Sequence, residues 1–88
     1  MKVVWTEQAW QDYLHWRSHD ADTLRRINAL IADIQRSPFR GLGKPEALKF
    51  SLAGWWSRRI TQEHRLVYRL SGRSGGQTLE IAQCRYHY

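Results

Sequence analysis

WWSRRITQEHRLVYRL, residues 55–70, decides how the rest of the chain can be arranged. Apolar residues recur at every second position around a central polar cluster, which is the pattern of a β-hairpin. To keep the apolar side chains together, Ile60 must pair with an even-offset position such as Leu66, across an odd-length loop over residues 62–64. One sheet face then holds Ile60, Leu66, Tyr68 and Leu70.

The opposite face of this hairpin is strongly basic. Neighbouring guanidinium groups on one sheet face repel one another unless an anion lies on that face. This face is therefore predicted to bind RNA or an acidic partner. Trp55 and Trp56 are adjacent and must point to opposite sides, so one is expected in the core. The side chains assigned to the basic face are Ser57, Arg59, Arg65 and Arg69.

Length and composition place the hairpin in one small domain over residues 1–88. The chain has 42% hydrophobic residues and five tryptophans, enough for a single core. Cys84 is the only cysteine, which excludes an intramolecular disulfide and a thiolate zinc cluster and favours a reducing cytoplasm. The N-terminal MKVVWTEQ becomes polar too early for a signal peptide or a membrane span. We therefore expect a soluble cytoplasmic protein without a membrane partner.

The positive charge lies in the second half of the chain. Residues 1–33 carry four basic and five acidic side chains, whereas residues 34–88 carry ten basic and three acidic ones. A basic composition alone fits a solvated surface as well as it fits nucleic-acid binding. Its concentration on one element favours the binding interpretation.

Two amphipathic helices are predicted before the hairpin. Thr6 can cap a helix to about Arg17, and Asp20 or Asp22 can cap a second helix that stops at Ser37-Pro38. Both apolar sides are interpreted as core, so the helices should form an antiparallel pair with a structural role. The apolar residues are Trp10, Tyr13 and Leu14 in the first helix, with Ala9 and Trp16 at the margins of that side, and Leu24, Ile27, Leu30, Ile31 and Ile34 in the second.

Strands are predicted before and after the helices. Residues 2–5 alternate as a short strand, and residues 46–52 alternate again, with Leu48, Phe50 and Leu52 on one side. The turn SGRSGGQ, residues 71–77, leads to a last strand whose apolar residues change parity after Ile81. That change requires either a β-bulge or burial on both faces. This order of elements predicts an α+β fold, a largely antiparallel sheet with two N-terminal helices packed on one face.

Titratable side chains on and near the basic face could cleave RNA. Without a metal, cleavage can use the adjacent 2′-hydroxyl as nucleophile, which needs a general base, a general acid and cations around the phosphate. No Ser-His-Asp arrangement or metal-ligand spacing is evident, so neither a metal nor a cofactor is expected. The candidate side chains are Glu46, Lys49, Arg59, Glu63, Arg65, His87 and Tyr88.

Four separated motifs resemble one toxin family. KPEALK at 44–49, WSRRIT at 56–61, EHRLVY at 63–68 and CRYHY at 84–88 are similar, in order and spacing, to the YoeB toxins of bacterial toxin–antitoxin pairs in the RelE/ParE superfamily. The resemblance extends over nearly the whole chain. It implies the RelE/ParE-like microbial RNase fold. It also implies an mRNA interferase, an endonuclease that cuts mRNA in the decoding site of the small ribosomal subunit and inhibits translation.

The resemblance further implies a role for each matching position. Lys49 and Arg59 would assist at the phosphate. The products would be a 2′,3′-cyclic phosphate and a 5′-hydroxyl. The implied partners are mRNA on the ribosome and an acidic, partly disordered, YefM-like antitoxin, and a toxin homodimer is also allowed. The implied catalytic set is Glu46 as general base, His87 as general acid, Arg65 as stabiliser of the transition-state charge and Tyr88 as the residue that positions or stacks on the substrate.

Purely structural interpretations compete with these roles. Glu46 can form a weak surface pair with Lys44 or Lys49, and His87 can be an ordinary exposed side chain. Tyr86 alternates with Cys84 along the chain, and its side chain is interpreted as part of the packed core. The remaining histidines, His15, His19 and His64, are interpreted as surface or turn residues. Two other functions stay open: a ParE-like non-nuclease toxin acting on a topoisomerase, and a non-catalytic basic RNA-binding module.

Overall fold

A computed structural model describes residues 1–73 and 75–88, and these residues contain two α-helices and five strands. Ser74, which belongs to the predicted turn 71–77, lies outside the described residues. None of the described helices is long and apolar enough to cross a membrane. The elements are β1 (Lys2–Trp5), α1 (Glu7–His19), α2 (Ala21–Arg36), β2 (Glu46–Ala47), a 3₁₀ helix (Phe50–Leu52), β3 (Trp56–Arg59), β4 (Arg65–Ser71) and β5 (Thr78–Gln83).

The described strands form one mixed sheet in the order β1-β5-β4-β3-β2. β1 pairs with β5 in parallel, and the other neighbouring strands are antiparallel. Ile27 and Leu30 of α2 and Trp16 of α1 form one core with Leu66 and Tyr68 of the sheet. The predicted α+β fold, a largely antiparallel sheet with two helices on one face, is confirmed.

Side-chain caps begin both helices at predicted residues. The Thr6 hydroxyl accepts a hydrogen bond from the N–H of Ala9 at 3.0 Å. The Asp20 carboxylate accepts from the N–H groups of Asp22 and Thr23, which satisfies donors that the first helical turn leaves unpaired. The Thr23 hydroxyl also donates to Asp20, and these bonds hold the pKa of Asp20 below its ordinary value.

The core-facing side of α1 is rotated from the predicted one. The buried residues of α1 are Ala9, Asp12 and Trp16, whereas Trp10 is 44% exposed and stacks on Tyr13 with 5.7 Å between ring centroids. The prediction placed Trp10 near the centre of the apolar side and Ala9 and Trp16 at its margins, whereas Ala9 and Trp16 are the buried apolar residues. The carboxylate of Asp12 can be buried in α1 because it accepts a hydrogen bond from the backbone N–H of Cys84.

β3 and β4 form the predicted hairpin, but the predicted partner of Ile60 is wrong. Leu66 pairs with Arg58, and the N–H of Ile60 donates to the carbonyl of His64 at 3.0 Å. The loop spans residues 61–63, one position earlier than the predicted 62–64, and its length is odd as expected. The alternate residues that face the core are therefore the predicted ones, and the apolar side chains share the core face.

The core face of the hairpin also buries an arginine that alternation did not reveal. Arg58 has no exposed surface, and its guanidinium donates to the Asp33 carboxylate at 2.5 Å. A buried charge is tolerated only when it is paired and hydrogen-bonded. Arg58 thereby ties α2 and the loop that leads to β2 to the sheet. Its further acceptors are the carbonyls of Ser37, Arg40 and Leu42 and the Tyr68 hydroxyl.

The strand predicted over residues 46–52 is mostly wrong. Only Glu46 and Ala47 pair with β3, and the 3₁₀ helix follows. Phe50 was predicted on the apolar side but is 93% exposed, with a φ of +57°. A left-handed residue interrupts the alternation of a strand, so Phe50 points to solvent while Leu48 remains buried.

β5 carries a β-bulge, one of the two predicted possibilities. Val67 lies opposite Gln83, whereas Tyr68 lies opposite Ile81, so Ala82 is the extra residue. The extra residue reverses which alternate side chains of the strand face the core. Apolar residues before and after it are consequently buried together, namely Leu79, Ile81 and Cys84.

Candidate active site

The C-terminal segment that carries His87 and Tyr88 is anchored on α1. The buried carboxylate of Asp12 accepts the N–H of Cys84 at 3.0 Å, and the indole N–H of Trp16 donates to the Cys84 carbonyl at 2.8 Å. Burial raises the pKa of the Cys84 thiol to about 12, so the thiol stays protonated and contributes packing rather than nucleophilic chemistry. Both backbone groups of Cys84 are fixed directly after β5, and this fixes where the last residues begin.

Three of the predicted site residues line one cleft beside β2. Glu46, Lys49 and Tyr88 border an opening of about 430 Å³, and Phe50 belongs to the same wall. The Tyr88 hydroxyl lies 3.4 Å from the hydroxyl of Ser57, which is the residue opposite Glu46 in the sheet. Pairing of β2 with β3 thus brings the last residue of the chain close to Glu46.

The side chain of Glu46 is exposed at this cleft. In the described part of the chain, no ion pair within 4.0 Å joins it to Lys44 or Lys49. The interpretation of Glu46 as half of a surface ion pair therefore finds no support. A carboxylate in this position can accept a proton from a bound hydroxyl.

His87 lies next to this cleft but lines a second hollow. Its ring centroid is 5.3 Å from that of Tyr88. The second hollow, of about 360 Å³, is also bordered by Arg85, Tyr86 and Asp12. The structure thus places Glu46 and His87 in two different hollows, which the consecutive residues His87 and Tyr88 connect.

The two predicted arginines lie on the same sheet face as Glu46. Ser57 pairs with Glu46, and two residues further along β3, Arg59 pairs with Arg65. Because these positions are diagonal neighbours, the Cα atoms of Glu46 and Arg59 are about 7–8 Å apart. Two strand spacings and two residues along the strand put the Cα atoms of Glu46 and Arg65 about 12 Å apart. Arg59 is exposed, whereas Arg65 is only 8% exposed.

Arg65 is directed towards the hairpin loop rather than into the cleft. Its Nη1 donates to the carbonyls of Thr61, Gln62 and His64 at 2.9, 3.1 and 3.0 Å. Among the described residues, no acceptor is hydrogen-bonded to its Nε or Nη2. The guanidinium therefore stabilises the loop through one nitrogen and keeps donors for an anion.

The basic face is partly neutralised from within the sheet. Arg69 donates to Glu80 at 3.2 Å and lies 4.4 Å from the centroid of the Trp55 ring. The hydrogen bond from Arg69 lowers the pKa of Glu80 from its ordinary value, so Glu80 stays anionic. The prediction that this face needs an outside anion is therefore wrong for Arg69. Trp56, on the other side, packs against the core as one of the two tryptophans was expected to do.

Three residues near the site were missed or misinterpreted. Tyr86, interpreted as packing, is 56% exposed with a φ of +64°. His64 lies at the end of the hairpin turn as expected, directly after the loop, but only 12% of its side chain is exposed, and its Nδ1 accepts the N–H of Tyr86. Ser57 was assigned to the correct face without its contact to Tyr88. Alternation cannot reveal such contacts, because each joins segments that are distant in sequence.

Comparisons with known proteins agree along the whole chain. Residues 5–88 match the family described as the YoeB-like toxin of bacterial type II toxin–antitoxin system. The chain is 54% identical over 88 residues to Toxin YoeB of Escherichia coli strain K12, covering all of both chains. The structure is similar to a YoeB/ParE toxin from Agrobacterium tumefaciens, with a TM-score of 0.96, 58% identity and full coverage of both chains.

YoeB of Staphylococcus aureus is a further relative of known structure. It is 39% identical and is known as a dimer, with a TM-score of 0.89, and in a heterotetrameric complex with the antitoxin YefM, with a TM-score of 0.88. Each comparison covers 100% of this chain and 98% of the other. Sequence and fold together establish that this chain belongs to the YoeB-like toxins of bacterial type II toxin–antitoxin systems.

Proposed function

We propose that this toxin is a ribosome-dependent endoribonuclease that cleaves mRNA in the decoding site of the small subunit and inhibits translation in the cytoplasm. The observation that carries the proposal is the cleft shared by Glu46, Lys49 and Tyr88, with His87 in the adjoining hollow. A carboxylate, a cation, an aromatic ring and an imidazole are suited to RNA cleavage without a metal.

The proposed reaction begins at the 2′-hydroxyl beside the scissile phosphate. Glu46 takes the proton of this hydroxyl, and its oxygen attacks the phosphorus. His87 gives a proton to the departing 5′-oxygen, which leaves a 2′,3′-cyclic phosphate and a 5′-hydroxyl. In an in-line displacement the attacking and leaving oxygens lie on opposite sides of the phosphorus. The reaction therefore requires Glu46 and His87 to approach one phosphorus from opposite sides.

Cations and one aromatic ring complete the proposed site. Lys49 and Arg59 are exposed and contact the phosphate, and Arg65 stabilises its transition-state charge through Nε and Nη2. Because Nη1 is already held by loop carbonyls, this guanidinium is ordered before charge develops, which makes electrostatic stabilisation effective. The Tyr88 hydroxyl, held near Ser57, leaves the ring to stack on a base.

The proposed protein partner is an acidic, partly disordered antitoxin of the YefM type. Staphylococcus aureus YoeB forms a complex with YefM, which supports this assignment. An acidic segment that becomes ordered on the exposed cations of the cleft would cover the catalytic groups. The same relative is also known as a dimer, and Trp10 and Val4, each more than 40% exposed, offer apolar surface for a second copy of this chain.

In vitro translation with 3′-end mapping of the mRNA tests the nuclease proposal. His87→Gln and Glu46→Gln should each slow cleavage by about 10²–10⁴-fold, the usual contribution of one general acid or base. Their thermal unfolding should match that of the wild type, because both side chains are exposed. His19→Gln and Glu7→Gln change exposed residues of α1 that line neither hollow. These control variants should cleave at the wild-type rate.

Three outcomes would contradict the proposal. Full cleavage by both site variants would exclude acid–base catalysis by these residues. Growth arrest without new mRNA ends would favour a toxin that acts on a topoisomerase. Ribosome binding without cleavage, weakening stepwise with each arginine removed and with added salt, would indicate a non-catalytic RNA-binding module.

A further inference from the structure

The position of His87 depends on the residue before it, Tyr86. Tyr86 has a φ of +64°, and its side chain is 56% exposed. A non-glycine residue keeps a left-handed conformation only where its surroundings enforce it, and burial of the ring does not do so here. Consecutive Cα atoms are only about 3.8 Å apart. Any change in the backbone of Tyr86 therefore moves His87.

Two consecutive residues of the hairpin hold the backbone of Tyr86. The Nδ1 atom of His64 accepts the N–H of Tyr86 at 2.7 Å, and the N–H of Arg65 donates to the Tyr86 carbonyl at 3.0 Å. Both polar backbone groups of Tyr86 are thus satisfied by the beginning of β4. We call this pair of hydrogen bonds the Tyr86 clamp.

The imidazole of His64 is held in place from both sides. The ring of Trp16 in α1 meets it edge to face, with 4.7 Å between centroids. Its Nε2 lies 3.7 Å from a carboxylate oxygen of Glu63, and only 12% of the side chain is exposed. Because Nδ1 accepts a hydrogen bond, it carries no proton, and the neutral ring has its proton on Nε2.

We propose that His64 is a positioning residue, which places His87 for catalysis through the Tyr86 clamp. The inference rests on the proposed nuclease function and deepens it. His64 acts through the backbone of Tyr86 and has no contact with the substrate.

Two substitutions of His64 separate the clamp from other roles. The side-chain oxygen of Asn can occupy the place of Nδ1, whereas the amide of Gln extends towards the place of Nε2. His64→Asn should therefore cleave ribosome-bound mRNA within about threefold of the wild type. His64→Gln should lower the single-turnover rate at saturating toxin by about 10²-fold, the effect of a small misplacement of a catalytic group. The toxin concentration for half-saturation should stay unchanged, because Lys49 and Arg59 are unaffected.

NMR supplies a readout that a merely structural role would not move. A long-range ¹H–¹⁵N spectrum of the wild type should show Nδ1 as the unprotonated nitrogen, coupled to the N–H of Tyr86. His19→Gln, which changes an exposed histidine of α1, is the matched control and should reproduce the wild-type cleavage rate and the wild-type coupling.

Equal cleavage rates of the Asn and Gln variants would overturn the inference, as would a Tyr86 N–H without coupling to Nδ1. If the Gln variant fails to fold, the NMR coupling of the wild type alone decides the question. The spectra do not depend on activity. If the Tyr86 N–H is coupled to Nδ1 and the His87→Gln variant is active, the nuclease proposal is refuted and the clamp is retained. If the coupling is absent and the His87→Gln variant is inactive, the clamp is refuted and the nuclease proposal is retained.

Discussion

Arg58 shows how one buried side chain can determine where a distant site residue lies. Its guanidinium joins Asp33 of α2 to the loop that leads to Glu46. The hydrogen bond from Arg58 is the main reason that the pKa of Asp33 lies below its ordinary value. A group with a lowered pKa in the folded state stabilises that state above its unfolded pKa. The contribution is lost as the pH falls through the folded pKa.

Replacement of Asp33 should therefore change how stability responds to acid. Wild-type stability should fall below about pH 4, the ordinary pKa of an aspartate. Asp33→Asn should be less stable at pH 7 and should lose less stability on acidification. Urea unfolding between pH 7 and pH 2 measures both effects. Asp22→Asn, at an exposed position of α2, should follow the wild-type curve. Parallel curves for the wild type and Asp33→Asn would contradict this account.

Among the secondary-structure elements, helix α1 anchors the C-terminal segment. Asp12 and Trp16, one turn apart, bind the N–H and the carbonyl of Cys84. The bulge at Ala82 makes this possible, since the change of parity turns Cys84 towards the core. The helix, the bulge and the Tyr86 clamp together set the course of the last residues.

Trp16→Phe tests this anchor while keeping an aromatic ring in the core. It removes the indole N–H and leaves the buried carbonyl of Cys84 without that donor, at a cost of about 1–3 kcal/mol in the free energy of unfolding. Trp10→Phe changes a partly exposed ring of the same helix and should cost less than about 0.5 kcal/mol. Urea unfolding with a constant m-value compares the two variants. Equal losses would show that the bond to Cys84 contributes nothing.

Charge is a property of the whole molecule, with a net value of +6 and a concentration in residues 34–88. Part of that charge is used internally, because Arg58 pairs with Asp33 and Arg69 with Glu80. The cations left for partners include Lys49 at the cleft and the exposed Arg59 of β3. Long-range attraction by such groups accelerates encounters with acidic partners and is screened by salt.

The association rate with the cognate antitoxin should therefore fall as salt rises. Between 50 and 500 mM NaCl we expect a decrease of about tenfold or more. The double variant Lys49→Gln/Arg59→Gln should show a slower rate at low salt and a weaker salt dependence. Arg25→Gln, in α2 and paired with Asp22, is the matched control. Stopped-flow measurements that show no salt dependence would contradict electrostatic steering.

Local patterns in the sequence determined the α+β class, the hairpin and both helix caps. Alternation and capping depend on neighbouring residues, so Thr6, Asp20 and the parity of residues 55–70 could be interpreted without coordinates. Motif resemblance added the family and the candidate set around Glu46 and His87. These features need no knowledge of what lies across the molecule.

The tertiary structure alone decided the contacts that depend on distant partners. Asp12 and Arg58 are buried because groups from other segments satisfy their charge, and a hydrophobic pattern assigns such residues to the surface. Phe50 left its expected strand because its backbone is left-handed. His64 became more than a loop residue only when its ring met the N–H of Tyr86. Long-range hydrogen bonds leave no periodic signal in a sequence, and they arrange the candidate site.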